Sequence, residues 1–235
     1  MKKIEFKDAV SKLGLELNDE QLIQYDKYHM LLAKWNEVMN LTGITDEEGV
    51  YEKHFYDSLL SIKEFKYKGR LADVGSGAGF PGLVLKIAYP ELDVVLIEPI
   101  NKRCNFLNAV IDELGLKKIE VVNMRSEDYV KINRETFDIV TARAVSNLNI
   151  LSELCVPLLK VNGTFVILRG ASGEEEIKEA SSAFKILNMK EDKVVKMSLS
   201  DDSKRIIGYY SKTKITDKKY PRNYGMIKKK PLWVK

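Results

Sequence analysis

Leu71-Ala-Asp-Val-Gly-Ser-Gly-Ala-Gly-Phe80 decides how this chain is read. An apolar run leads into glycines at alternate positions, Gly75, Gly77 and Gly79, with Asp73 two places before the first. The next apolar run, Val94-Val-Leu-Ile-Glu-Pro99, closes on a second acid, Glu98. Strand, glycine loop, helix, strand and terminal carboxylate form a cradle for a nucleotide-bearing cofactor, with backbone N–H groups at the helix start and an acid for the ribose.

Two cofactor classes compete for that cradle. Gly77-Ala-Gly-Phe-Pro-Gly82 fits the G-x-G-x-x-G dinucleotide fingerprint, a weak signal when it stands alone. A carboxylate at the strand tip, however, binds the ammonium group of S-adenosylmethionine and repels a pyrophosphate. Pro81 has no N–H for a phosphate and suits the first turn of a helix. Glu98 fits the two ribose hydroxyls in either class. Asp73, Gly75, Gly77, Gly79 and Glu98 are therefore expected to hold S-adenosylmethionine. A loop whose glycines only turn the chain would leave both acids unexplained.

Outward from this block the hydrophobic period changes. Apolar runs at 70–74, 93–98, 119–123, 137–142 and 163–168 read as buried parallel strands, separated by helical patterns near 81–89, 101–114 and 148–159. A helix near 173–187 is followed by strand-like 190–199 and 205–212 around Ser200-Asp-Asp-Ser203, which reads as a hairpin. Before the block, Asn18-Asp-Glu-Gln21 reads as a capping box opening a helix with Leu22, Tyr25, His29, Leu32 and Met39 on one face. Asn40 and Gly43 are its expected breakers. Thr45-Asp-Glu-Glu48 reads as a second box, opening a helix to about Ile62 that buries Val50, Phe55, Leu59 and Ile62.

The expected fold class is α/β: a Rossmann-like class I methyltransferase with a seven-stranded, mostly parallel sheet ending in an antiparallel hairpin. The expected organisation is an N-terminal helical extension over 1–68, a methyltransferase domain over 69–213 and a basic tail over 214–235 that packs on or extends from it.

Composition narrows the setting. With 235 residues, 45% apolar and 31% charged, the chain reads as an ordinary soluble protein. No signal peptide and no membrane span is legible. Cys104 and Cys155 belong to no metal-type cluster and read as buried reduced thiols, so no metal and a cytoplasmic location are expected. Net charge is +4, but residues 212–235 carry +8 and the rest −4. Tyr220, Tyr224 and Trp233 interleave with that basic run, which suits an RNA backbone with unstacked bases or else a solvated tail.

Further candidates follow the later strands. Ser126 and Glu127 either edge an adenine or cap a helix. Arg143, in Thr141-Ala-Arg-Ala144, points into the crevice beyond the strand tips or forms a surface ion pair. His29 reads as a core histidine. His54 and Asp57 read as a hydrogen-bonded pair or as part of an RNA-facing surface.

Leu31-Leu-Ala-Lys-Trp-Asn-Glu-Val-Met-Asn-Leu-Thr42 resembles the Trp-Asn…Asn-Leu-Thr helix of the RsmG family, also called glucose-inhibited division protein B. The glycine block, His54…Asp57-Ser58, Asn101-Lys-Arg103, Met124-Arg125, Thr141-Ala-Arg-Ala144 and Tyr220-Pro-Arg222 extend the resemblance over essentially the whole chain. It implies an adenosylmethionine-dependent methyltransferase acting on N7 of one guanine in bacterial 16S ribosomal RNA. By motif position it implies cofactor contacts at Gly75, Phe80, Ser126, Glu127 and Arg143. Glu98 stands where many relatives carry Asp, and Arg169 where they often carry Lys.

Guanine N7 carries no proton at neutral pH, so its methylation needs orientation and no general base. Arg125, Arg143 and Arg169 are then the candidates to hold RNA phosphate or guanine O6. The partner implied is 16S RNA, the small subunit or its assembly intermediate, met by a monomer and with no membrane. No Asn/Asp-Pro-Pro-aromatic motif or Pro-Cys follows the fourth strand, against exocyclic-amine and cytosine-C5 chemistry. The rival readings are a methyltransferase for a small molecule or protein, and a non-enzymatic binding protein with a degenerate cofactor fold.

Overall fold

The computed structural model describes residues 1–143 and 146–232; Ala144 of the fourth-strand motif and Trp233 of the tail lie outside the described residues. Strands β1 (Arg70–Val74), β2 (Asp93–Ile97), β3 (Ile119–Val122), β4 (Phe137–Arg143), β5 (Leu159–Arg169), β6 (Met189–Ser198) and β7 (Lys204–Lys212) form one sheet in the order β3-β2-β1-β4-β5-β7-β6. β1 to β5 run parallel, and β7 lies antiparallel between β5 and β6. The strand order reverses between β1 and β4, which opens a crevice beyond their C-terminal tips.

Alternation along each strand builds two cores. Leu71, Val94, Leu96, Ile139, Val166 and Leu168 pack on one face with helices α5 (Gly82–Ala88) and α6 (Asn101–Glu113). Ala72, Val95, Ile97, Val140, Phe165 and Ile167 pack on the other with α8 (Leu148–Cys155) and α9 (Gly173–Ile186). β5 begins at Leu159, earlier than the sequence suggested, because Pro157 ends the preceding helix in a short 3-10 turn over Val156–Leu158.

The N-terminal helices complete the first face. α1 (Lys3–Ser11), which the sequence did not reveal, inserts Phe6 and Val10. α2 (Asp19–Met39) opens on the expected Asn18/Gln21 capping box and ends at Asn40 in a left-handed conformation. Its inward residues are Gln21, Tyr25, Tyr28 and Leu32; His29 is only half-buried, at the edge of Tyr51. The next helix is capped by Asp46 and not by Thr45, the Asp46 carboxylate accepting from Gly49 N–H at 2.8 Å. It runs as α3 (Glu47–Val50), a π-turn (Tyr51–Tyr56), α4 (Asp57–Leu59) and a 3-10 turn (Leu60–Lys63). Val50, Phe55, Leu59 and Ile62 are all buried, as expected. No helix among the described residues is long and apolar enough to cross a membrane.

The described part of the basic tail is docked, with Lys218, Lys219, Lys228 and Lys229 exposed. The Arg134 guanidinium donates to the carbonyls of Thr216, Asp217 and Tyr220. Tyr220 and Leu232 enter the second core, and Ile227 of α10 (Tyr224–Lys229) meets Ile150 and Leu154 of α8. Fully buried Glu153 accepts from Arg222 through both carboxylate oxygens, at 2.9 and 2.6 Å, and from the Arg222 backbone N–H at 2.8 Å. Removing one partner of such a pair strands the other charge. Arg222→Ala is expected to lower stability by about 3 kcal/mol, the lower end for buried pairs because Arg222 is partly exposed. Urea denaturation measures it, and hydrogen exchange over 214–232 should rise in the same variant.

Candidate functional site

Side-chain parity explains who meets whom at the strand tips. Asp73 shares the face of Leu71, and Arg143 the face of Ile139, so both turn toward the N-terminal helices. Arg169 follows Leu168 and turns the other way, toward α9.

The glycine loop is tied to β2. Gly75 N–H donates to Ile97 C=O at 2.8 Å, and Gly77 N–H to Glu98 Oε2 at 2.9 Å. Gly79 adopts φ +94°, and a Cβ there would run into Leu83 and the Tyr28 hydroxyl. That hydroxyl donates to Ala78 C=O, and the Tyr28 ring stacks on Phe80 at 5.6 Å. Tyr28 is a support that sequence reading missed. Its signal is the step from Tyr25 to Tyr28, which turns Tyr28 inward in place of His29.

Asp73 lies wholly buried beneath the loop. Its Oδ2 accepts from Gly82 N–H at 2.9 Å, and its buried Oδ1 has no hydrogen-bond partner. Burial raises its carboxyl to about 7, against the downward pull of the Gly82 N–H and of Arg143. Glu98 is also buried, and its Oε1 accepts from Ile100 N–H at 2.9 Å. The longer acid thus folds back onto backbone, gripping the loop and the start of α6 at once.

A cleft of about 410 Å³ opens above the loop, lined by Gly75, Gly77, Phe80, Glu98, His54 and Arg143 among others. A Cβ at Gly77 would meet only Gly75 C=O, at 3.9 Å, so the loop leaves open space there. Asp73, beneath the loop, lies outside that lining; the open space at Gly77 and the Glu98 carboxylate in the wall fit a cationic nucleoside-bearing cofactor such as S-adenosylmethionine. Ser126 and Glu127 lie outside the cleft lining. Ser126 Oγ donates to Leu154 C=O at 2.8 Å, and the cap position of the short helix α7 (Ser126–Tyr129) belongs to Arg125.

A second cavity of about 740 Å³ shares His54 and Arg143 with the cleft and adds Lys53, Asp57, Arg169, Glu176 and Arg205. The Arg143 guanidinium lies 4.8 Å from the Phe80 ring centre and donates to Lys53 C=O at 3.2 Å and to Asp57 at 3.4 Å. Asp57 also accepts from Arg205 Nε at 2.6 Å. His54 and Asp57 are therefore not bonded to each other, although both face the cavity. His54 stacks on Phe80 at 4.4 Å and meets the Thr42 hydroxyl at 2.8 Å. Burial, then the Arg143 charge, lower its pKa to about 4, so the ring is neutral at physiological pH. Of the three arginines singled out in the sequence, Arg143 and Arg169 line this cavity. Arg125 is exposed elsewhere, its guanidinium 5.5 Å from the Tyr224 ring centre.

Known proteins align with this architecture. The model of the GidB family, rRNA small subunit methyltransferase G, matches residues 21–206. A ribosomal RNA small subunit methyltransferase G from Staphylococcus epidermidis is 46% identical over 230 residues, with 96% of each chain covered. One from Lysinibacillus sphaericus is 45% identical over 239 residues, covering 99% of this chain and 100% of the relative. Among solved structures, a SAM-dependent methyltransferase from Aquifex aeolicus superposes with a TM-score of 0.54 at 20% identity, over 72% of this chain and 96% of that one. A precorrin-6y C5,15-methyltransferase from Geobacter metallireducens gives 0.53 at 11%, over 72% and 90%. At those identities the structural likeness is one of fold.

Asp73 supplies a pH test. Its folded value lies above the ordinary 3.8, so its contribution to stability is full below that value and is lost as pH rises toward about 7. Asp73→Asn keeps the acceptor for Gly82 N–H and removes the charge. In urea denaturation it should gain on the wild type at pH 8 relative to pH 5. Its adenosylmethionine affinity, read by calorimetry, should fall, and the wild-type affinity should decline from pH 7 to 5.5. An unchanged affinity in the variant would separate Asp73 from the ligand.

Proposed function

Because the chain belongs to the rRNA small subunit methyltransferase G family and is a methyltransferase, we propose that it transfers the methyl group of S-adenosylmethionine to N7 of one guanine in bacterial 16S ribosomal RNA. One observation carries the reading from family to mechanism. The cofactor cleft and the larger, cation-rich cavity share a wall made of Arg143 and His54. A base in the second cavity can meet a donor in the first only across that wall.

Asp73, Gly75, Gly77, Phe80 and Glu98 would hold the cofactor, with Ser126 and Glu127 as candidates for its adenine end. Bound there, it supplies an electrophilic methyl group. The chain supplies placement. N7 offers an in-plane lone pair and no proton, so no side chain has to act as a base. His54 matches that requirement, being neutral and having its ring nitrogens against Thr42, Lys53 and Arg143. Arg143 and Arg169 are suited to guanine O6 or a neighbouring phosphate, since a cation facing N7 itself would oppose the charge the ring acquires. The exposed lysines of the docked tail, Lys218, Lys219, Lys228 and Lys229, extend the basic surface for an RNA backbone. We place the enzyme in the cytoplasm, acting as a monomer on the small subunit or its assembly intermediate.

Deleting the gene should remove one 7-methylguanosine from 16S RNA, with restoration by the wild type and not by Gly77→Arg, as mapped by reverse transcription after chemical cleavage. Arg143→Ala should reduce kcat/KM for the RNA by about a hundred-fold, the cost of a misplaced acceptor. Normal turnover and normal RNA affinity in that variant would remove Arg143 from the acceptor site.

A further inference from the structure

The larger cavity contains two acids in different circumstances. Asp57 is consumed by Arg205 and Arg143. Glu176, in the first turn of α9, keeps a side chain 23% exposed. Its Oε1 accepts from the Ser172 hydroxyl at 2.7 Å, and its Oε2 lies 3.0 Å from Arg169 Nε. That second approach is a close ion pair. The Arg169 Nε proton finds no acceptor, although the residue is only 7% exposed. The other Arg169 nitrogens donate to Leu168 and Ser146 carbonyls, which fix the guanidinium in place. A guanidinium fixed in place beside a partly exposed carboxylate with free lone pairs leaves that carboxylate able to accept from a third participant.

The order of the strand tips says where that participant sits. The glycine loop follows β1, Arg143 ends the neighbouring β4, and Arg169 ends β5 one strand further on, with Glu176 paired to it. The carboxylate is therefore on the side of the cavity away from the cofactor cleft. A purine that offers N7 to the cleft points its six-membered-ring edge in that direction. Along this edge guanine presents O6, an acceptor, then N1–H and the N2 amino group, both donors. A guanidinium beside a carboxylate is the complement of that pattern. Adenine presents the reverse, a donor at N6 and an acceptor at N1, which would set a lone pair against the carboxylate.

Resting on the guanine-N7 reading above, we propose that Glu176, held beside Arg169, accepts N1–H and N2–H from the target guanine and selects that base. The test compares small subunits reconstituted with guanine or with inosine, which lacks only the N2 amino group, at the methylated position. The wild type should lose about ten- to a hundred-fold in kcat/KM on inosine. Glu176→Gln should lose a similar factor on guanine, and its guanine-to-inosine ratio should fall to near one. Unchanged adenosylmethionine affinity by calorimetry reports that the variant is folded. A wild type indifferent to the N2 amino group overturns the proposal without recourse to any variant, as does a Glu176→Gln enzyme with the wild-type ratio. A wild type that methylates neither substrate would overturn the guanine-N7 reading itself, and this proposal with it.

Discussion

Arg143 is the joint on which the site depends. It ends the central strand β4, and its guanidinium meets the π-turn through Lys53 C=O, α4 through Asp57 and the glycine loop through the Phe80 ring. Two stretches of the chain, around Lys53 to Asp57 and at Phe80, converge on one planar cation carried by β4. The contact is electrostatically costly. Burial pushes the Asp57 carboxyl up and the Arg143 guanidinium down, each away from its charged form despite the attraction between them. These charges, held against that cost, sit at the rim of the larger cavity.

The support beneath follows from the same economy of contacts. Tyr28 and Phe80 stack under the cleft, and His54 closes the layer. The π-turn over Tyr51–Tyr56 brings Lys53 and His54 to the cavity while Tyr51 and Phe55 stay in the core. A widened turn inside a helix redirects side chains in this way, and such turns occur preferentially at functional positions. The N-terminal helices thus share a core with the sheet and also supply part of the larger cavity's wall. On the opposite face Arg222 and Glu153 fasten the basic tail, so that its lysines stand on a fixed helix.

Much of this was legible in the residues. The strand pattern, the terminal hairpin, the Asn18 capping box and the glycine loop are local features, set by side-chain period and by backbone freedom at a few positions. The second helix starts one residue later than the sequence indicates because Thr45 and Asp46 both suit a cap, and only the fold decides whether the hydroxyl or the carboxylate accepts from the first turn. α1 was missed because its apolar stripe is short, with Phe6 and Val10 its only buried residues. That Arg125 lies apart from Arg143 and Arg169 is decided by the docked tail, which brings Tyr224 to it.

What the sequence by itself determined is the cofactor cradle and the sheet that carries it, because both depend on neighbours within a few residues. The tertiary structure alone decided the partners of the charged groups. Asp57 belongs to Arg143 and Arg205 and not to His54, Glu98 grips the glycine loop, and Arg169 faces Glu176. Ion pairing depends on which strand tips and helices lie side by side, and on how deeply they are buried. Neither quantity is written in local spacing.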